Sequence, residues 1–227
     1  SVTSARKRRM MGEDERPVGT PVGDLTVHQV GSIAGRMMDR PPVNALDPGL
    51  RQAIVAAIGQ AASDTGIGAL VHAAGPRVAG FCAGTDLAEL DGHAPPGPPD
   101  LRAVIACIDD CPKPIIAAIR GACLGGGLEL VLACHHRVAT ADAMIGFPEI
   151  RLGLIPGAGG VPRLTRLLAP AEVLQMIGTG ELRPATHFSG TELFDRIVDG
   201  DAVEAAISVA ADLVTSRAMR VRDRAVV

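Results

Sequence analysis

The sequence predicts an α/β protein with a parallel sheet, and three observations carry that prediction. From Leu25 to Ala74 the pattern runs hairpin, helix, strand, and a β-α-β order is a crossover unit that implies parallel pairing. A strand, a glycine-bearing turn and a helix then follow one another twice, once after Ile67 and again after Pro114. The apolar fraction of 47% is ample for a sizeable core in 227 residues, whether as one large or two small domains. With four Phe and no Tyr or Trp, that core must be aliphatic and Ala-rich.

Each element has its own signal. Leu25 to Met38 suggests a hairpin broken near Gly31 and Ser32. Pro48 to Ala62 carries Leu50, Ile54, Ala57, Ile58 and Ala61 at helical spacing, and Ile67 to Ala74 reads as a buried strand. A loop from Gly75 to Gly84 ends in Thr85 and Asp86 before a short helical segment. Residues 91–100, DGHAPPGPPD, form a Pro/Gly-rich loop, followed by a helix from Leu101 to Asp109 and a strand from Pro114 to Ile119. Helices are expected at Val161 to Leu168, Ala171 to Gly178 and Asp201 to Val214, with Phe194 to Val198 between the last two.

Composition excludes several classes of function. A net charge of -3 points to neither nucleic acid nor a membrane surface, and the scarcity of aromatics disfavours base stacking. The five cysteines form no CxxC pair and are odd in number, which argues for reduced thiols in a cytoplasmic setting. Cys134-His135-His136 lacks the partner ligands a metal needs, so these are expected to be strand residues and no metal is expected. Ile115 to Cys134 is apolar enough to raise a transmembrane question, but Arg120 and Glu129 interrupt it. Residues 1–20 begin with Ala5-Arg6-Lys7-Arg8-Arg9, continue into acidic sequence without an apolar run, and read as a disordered tail. Gly157, Gly159 and Gly160 do not have the spacing of a dinucleotide fingerprint.

The chemistry concentrates between Arg120 and Leu164. Gly125, Gly126 and Gly127 precede an apolar helix, where a ligand oxygen can approach N–H groups that have no partner within the helix. The positive pole of the helix dipole lies at the same end and favours a developing negative charge. Glu129 lies about one turn into that helix, where an unpaired carboxylate would be expensive, and Glu149 follows Phe147 and Pro148 in a similarly apolar setting. Two carboxyl groups in such surroundings can share acid and base work on one water. Alone, a glycine triplet more often serves packing, and a single Glu more often caps or pairs; the combination favours a site.

The runs ACLGGGLELVLACHHRVA and FPEIRLGLIPGAGGVPRLTRLL resemble the enoyl-CoA hydratase/isomerase family, the crotonase superfamily. Gly80 to Leu87 is similar to that family's first oxyanion-loop motif and Arg40 to Leu46 to its N-terminal motif. The four motifs stand in order within about Leu25 to Asp201. The resemblance implies a crotonase-like ββα spiral over 21–200 with a shortened C-terminal helical segment over 201–227. Gly35 and Arg36 stand where the family has an apolar strand, so that strand is expected to be irregular.

By the same resemblance, the backbone N–H groups of Thr85 and Gly126 hold a thioester oxygen, Glu129 activates water and Glu149 exchanges the proton at C2. CoA is expected along the Asn44 to Leu46 and Ala83 to Leu87 backbones, with Ala45, Ala83, Asp86, Leu87 and Gly125 binding substrate; Arg77 is a candidate phosphate contact, though a solvated surface Arg is the reading favoured for it. The helix start at Gly160 is expected beside the thioester and Glu149. The implied reaction is hydration of an enoyl-CoA, with a Δ3,Δ2-enoyl-CoA isomerase as the nearest alternative and a non-catalytic acyl-CoA-binding or scaffold protein as an alternative of another class. Acyl-CoA is then the substrate and no cofactor is expected; the partner is a second copy, in a homotrimer or dimer of trimers. The last part of the chain most resembles the hydratase portion of multifunctional fatty-acid oxidation proteins, leaving a stand-alone paralogue and a piece of such a protein both open.

Overall fold

In the computed structural model, residues 16–17, 23–90, 93, 97–214 and 219–227 are described. The expected disordered tail over 1–20 falls outside them except for Arg16–Pro17, strand β1, and the loop 91–100 falls partly outside. Strand β2 (Leu25–Val30) turns through Gly31 and Ser32 into β3 (Ile33–Met38), and Gly31 takes a φ of 58° there, a conformation glycine adopts at little steric cost. Helix α1 (Pro48–Ser63), capped by Asp47 accepting from the Leu50 N–H at 2.8 Å, crosses over to β4 (Ala69–Ala74), which lies parallel to β3. After the short α2 (Leu87–Leu90) come α3 (Leu101–Asp109) and β5 (Ile115–Ile119), parallel to β4.

The second half repeats the strand-turn-helix order. β6 (Ala122–Leu124) leads into α4 (Gly126–Ala133), then β7 (His136–Thr140) and β8 (Met144–Gly146). A 3-10 turn over Pro148–Leu152 is followed by α5 (Gly160–Leu164), α6 (Pro170–Thr179), β9 (Arg183–Pro184), β10 (Arg196–Val198) and α7 (Ala202–Leu213). Among the described residues seven strands form one sheet in the order β1-β2-β3-β4-β5-β7-β10, while β6, β8 and β9 form a small second sheet. Helices α1, α3 and α4 bury one face of the large sheet in an aliphatic core that includes Ile54, Ile58, Ile108 and Leu130. Ala202, Ala206 and Ala210 of α7 cover the other face over Val71, Ile116 and Val138. The spacing of those three alanines lets the helix backbone sit close to the strands.

Three expectations are corrected. β3 is regular through Gly35 and Arg36, pairing residue for residue with both neighbours; the Arg36 side chain is carried whole into the core. Helix α5 ends at Leu164 rather than Leu168, because the chain tightens into short turns marked by Arg166 N–H to Arg163 O and Leu167 N–H to Leu164 O. Of Cys134, His135 and His136, only His136 is in a strand, since Cys134 caps α4. His135 Nδ1 accepts from the Ile115 N–H at 3.1 Å and His136 Nδ1 lies 2.8 Å from Asp195, so both rings have protein partners. Among the described residues no helix is long and apolar enough to cross a membrane.

Candidate active site

The loop that carries Thr85 is tied down on both sides. Cys82 pairs with Cys123 in an isolated parallel bridge, with Cys82 N–H donating to Ala122 O at 3.0 Å and Leu124 N–H donating to Cys82 O at 2.9 Å. On the other side Leu46 N–H donates to Gly84 O at 2.8 Å. Asn44, fully buried, donates from Nδ2 to Met38 O at 3.0 Å and to Phe81 O at 2.9 Å, joining the end of β3 to the same loop. Its φ of 54° is one that Asn tolerates better than most residues. Behind α2, Arg51 holds Glu89 through a buried ion pair and donates to Pro99 O at 2.7 Å and Gly97 O at 2.8 Å.

The second loop meets the first. Gly125, at φ 52° and ψ -127°, caps α4, and its N–H donates to Gly146 O at 3.0 Å. A Cβ at Gly126 would stand 3.0 Å from Thr85 Oγ1 and 3.3 Å from Thr85 N, so the glycine lets the two loops approach. The Thr85 and Gly126 N–H groups are thereby neighbours, and among the described residues neither has an acceptor.

Glu129 lies in the first turn of α4 and is only 3% exposed. Its Oε1 accepts from the Ala158 N–H and the Gly160 N–H, each at 2.8 Å. Burial pushes its carboxyl above the ordinary value, and those two N–H groups oppose the rise. The helix start at Gly160 is therefore the support of Glu129, a role the sequence left unassigned. Glu149 is set by β8, which pairs with β6 through Leu124 and Gly146, and by the 3-10 turn that follows the buried Phe147. Burial, reinforced by the charge of Glu129, raises its carboxyl to about 7, and its Oε2 is buried without a hydrogen-bond partner among the described residues.

Nine of the residues singled out from the sequence line one cavity of about 820 Å³: Glu129, Glu149, Thr85, Gly126, Gly125, Ala45, Ala83, Asp86 and Leu87. Arg77 is not among its lining residues; it pairs with Asp39 at 3.0 Å and Asp24 at 3.6 Å. Sequence reasoning missed Arg40, whose guanidinium meets Asp47 at 3.0 Å and Asp86 at 3.5 Å at the cavity wall. It also missed Leu101, Leu152, Leu154 and Ile155, aliphatic side chains that line the same cavity. Leu101 could be found from its place at the start of a helix next to the Pro/Gly loop; the other three carry no pattern that separates them from surface residues. The arrangement offers two main-chain donors for an oxyanion and two carboxyl groups of raised proton affinity on an apolar wall.

A family model described as Enoyl-CoA hydratase/isomerase matches residues 29–223. The chain is 37% identical over 179 residues to the peroxisomal bifunctional enzyme of Danio rerio, which covers 79% of this chain and 24% of that protein. It is 38% identical over 168 residues to the probable enoyl-CoA hydratase of Bacillus subtilis (strain 168), covering 72% of this chain and 62% of that one. The chain thus spans less than two thirds of either relative's length. Among solved structures, enoyl-CoA hydratase subunit I from Geobacillus kaustophilus HTA426 superposes with a TM-score of 0.77 at 30% identity, over 87% of this chain and 77% of that one. Pseudomonas aeruginosa DspI gives 0.76 at 31% identity, over 86% and 82%.

Proposed function

The chain belongs to the enoyl-CoA hydratase/isomerase family, and on that premise we propose that it is an enoyl-CoA hydratase, adding water syn across the 2,3 double bond of a 2-trans-enoyl-CoA. The observation that carries this reading is the convergence of Glu129, Glu149 and the Thr85 and Gly126 N–H groups on one cavity. The two N–H groups polarise the thioester carbonyl and stabilise the enolate-like state; each such donor is typically worth about 3 to 4 kcal/mol of barrier. Glu129 takes a proton from water as the oxygen adds to C3, and Glu149 delivers its proton to C2. Acyl-CoA is the substrate, and the chemistry uses no cofactor. Five free cysteines fit a reducing, cytoplasmic setting, and assembly as a homotrimer or dimer of trimers belongs to the same proposal.

The test is loss of the conjugated-thioester absorbance on mixing with crotonyl-CoA, beside Glu129→Gln and Glu149→Gln. Turnover that collapses in both variants supports the two-carboxylate reading. The isomerase reading is favoured by the unpartnered oxygen of Glu149, because moving a double bond from C3 to C2 needs chiefly that one group. It predicts that Glu129→Gln still isomerises a 3-enoyl-CoA. A parent protein silent with all enoyl-CoA chain lengths, yet retained on immobilised CoA, would make it a binding protein instead.

A further inference from the structure

Two charged residues outside the cavity lining are buried together. Asp109 closes α3 and is 1% exposed; Arg163, in α5, is 8% exposed. Arg163 Nη2 donates to Asp109 Oδ2. Its Nη1 donates to Gly159 O at 3.1 Å. Gly159, at a φ of 108°, stands between Ala158 and Gly160, the two residues whose N–H groups hold Glu129 Oε1. One guanidinium thus fixes the carbonyl of the residue between the two donors to a buried carboxylate in one planar geometry, which the rotatable ammonium of Lys does not impose.

A third element closes over this pair. Residues 219–227 place Val221 in the core, and Val227 N–H donates to Thr165 O at the end of α5 at 2.9 Å. Arg222 reaches Asp110 at 2.6 Å and Asp109 at 3.5 Å. The carboxylate that anchors Arg163 is therefore itself held from the C-terminal segment.

We infer that Arg163 is a positioning residue for Glu129, anchored by Asp109, and that the 219–227 segment steadies this anchor through Arg222. The inference rests on the hydratase reading, in which Glu129 must hold a water at a fixed place. It differs from an ordinary stabilising ion pair because loosening Arg163 alters the hydrogen bonds to Glu129. Misplacement of a catalytic group by about 1 Å can lower a rate on the order of a hundredfold.

The charges bearing on Glu129 are Glu149 across the cavity, Arg163 from α5 and Arg102 from α3. N–H groups directed at the carboxylate favour its charged form, so weakening them raises its proton affinity. Arg163→Lys keeps the charge and removes the fork. It is expected to lower kcat about tenfold or more with KM within about twofold, and to move the acid limb of the pH profile upward. Asp109→Asn is expected to do the same, and the more exposed Arg222→Ala to show a weaker change of the same sign. If the variants lose thermal stability while kcat per folded molecule and the acid limb stay at parent values, the pair is structural and the inference is overturned. Should Arg163→Lys fail to fold, Arg222→Ala decides by the same two readouts. Silence of the parent with every enoyl-CoA would sink the hydratase reading alone. The Glu129 carboxyl titration, followed by carbon NMR in parent and Arg163→Lys, then decides, an upward shift supporting the positioning role and an unchanged one overturning it.

Discussion

Glu129 and Arg36 are both charged, both buried, and treated oppositely by their surroundings. Glu129 has two main-chain N–H groups on one oxygen and opens on a cavity. Arg36, 0% exposed, lies inside the sheet face covered by α1, and none of its three guanidinium nitrogens has a hydrogen-bond partner among the described residues. Its cross-strand neighbour His72 is equally enclosed and, among the described residues, equally without hydrogen-bond partners, with the Phe81 ring T-shaped to it at a centroid distance of 5.7 Å. Burial drives each charge toward its neutral form, raising the Glu129 carboxyl and lowering the Arg36 guanidinium to about 10. Partners and access to a cavity separate the charge that the proposed function uses from one that only weakens the fold.

The sharpest test exchanges the two consequences. Glu129→Gln is expected to lose about 10²- to 10⁴-fold in hydration rate while unfolding at or slightly above the parent temperature. Arg36→Met is expected to keep the parent rate and gain roughly 1 to 4 kcal/mol in stability, read from chemical denaturation. If Arg36→Met is destabilised instead, Arg36 has a partner that offsets its burial and the contrast fails.

The next test concerns protons. Under the proposed mechanism, hydration needs Glu149 protonated and Glu129 ionised; dehydration needs the reverse, and both forms carry one proton on the pair. The pH profiles of kcat/KM should therefore be bell-shaped with the same limbs in both directions, and the alkaline limb should fall near 7, where Glu149 releases its proton. Assay of crotonyl-CoA hydration and 3-hydroxybutyryl-CoA dehydration across pH checks this, and limbs that differ between directions would break the shared-proton picture.

The same contrast explains what the sequence disclosed. Glycines 125 and 126, Glu129 and Glu149 stood out because a site demands residue types that a core would not choose, Thr85 came only from the resemblance, since its donor is a main-chain atom, and a hairpin, crossover helix and buried strands were legible from their periods. The small sheet was not, since β6, β8 and β9 are two or three residues long and show no period. The support of Glu129 by Ala158 and Gly160 was also hidden, because main-chain donors carry no side-chain signature. Arg36 misled for a further reason: Gly35 and Arg36 where the family has an apolar strand suggest an irregular strand, whereas ladder pairing on both sides holds β3 regular and the arginine side chain is buried.

His72 gives the smallest effect and the finest test of how far the enclosed pair differs from the active-site pair. Burial, with Arg36 adding to it, lowers its proton affinity well below the ordinary value, so the folded chain keeps the imidazole neutral. The unfolded chain takes up that proton below about pH 6.5, hence holds more protons than the folded form there, and stability falls as pH falls. Between pH 8 and pH 5 the loss from this one group is about 2 kcal/mol at most. Glu149 works in the other direction: with its carboxyl raised to about 7, the folded chain holds the extra proton and gains stability as pH falls through that value. The two opposed slopes blur each other in the parent, so the measurement is the difference between parent and His72→Leu in denaturation free energy at pH 8 and pH 5. The variant should gain on the parent as pH falls. An equal difference at both pH values would mean that His72 takes up its proton as readily in the fold as in the unfolded chain, which requires a partner that the enclosed strand pair lacks.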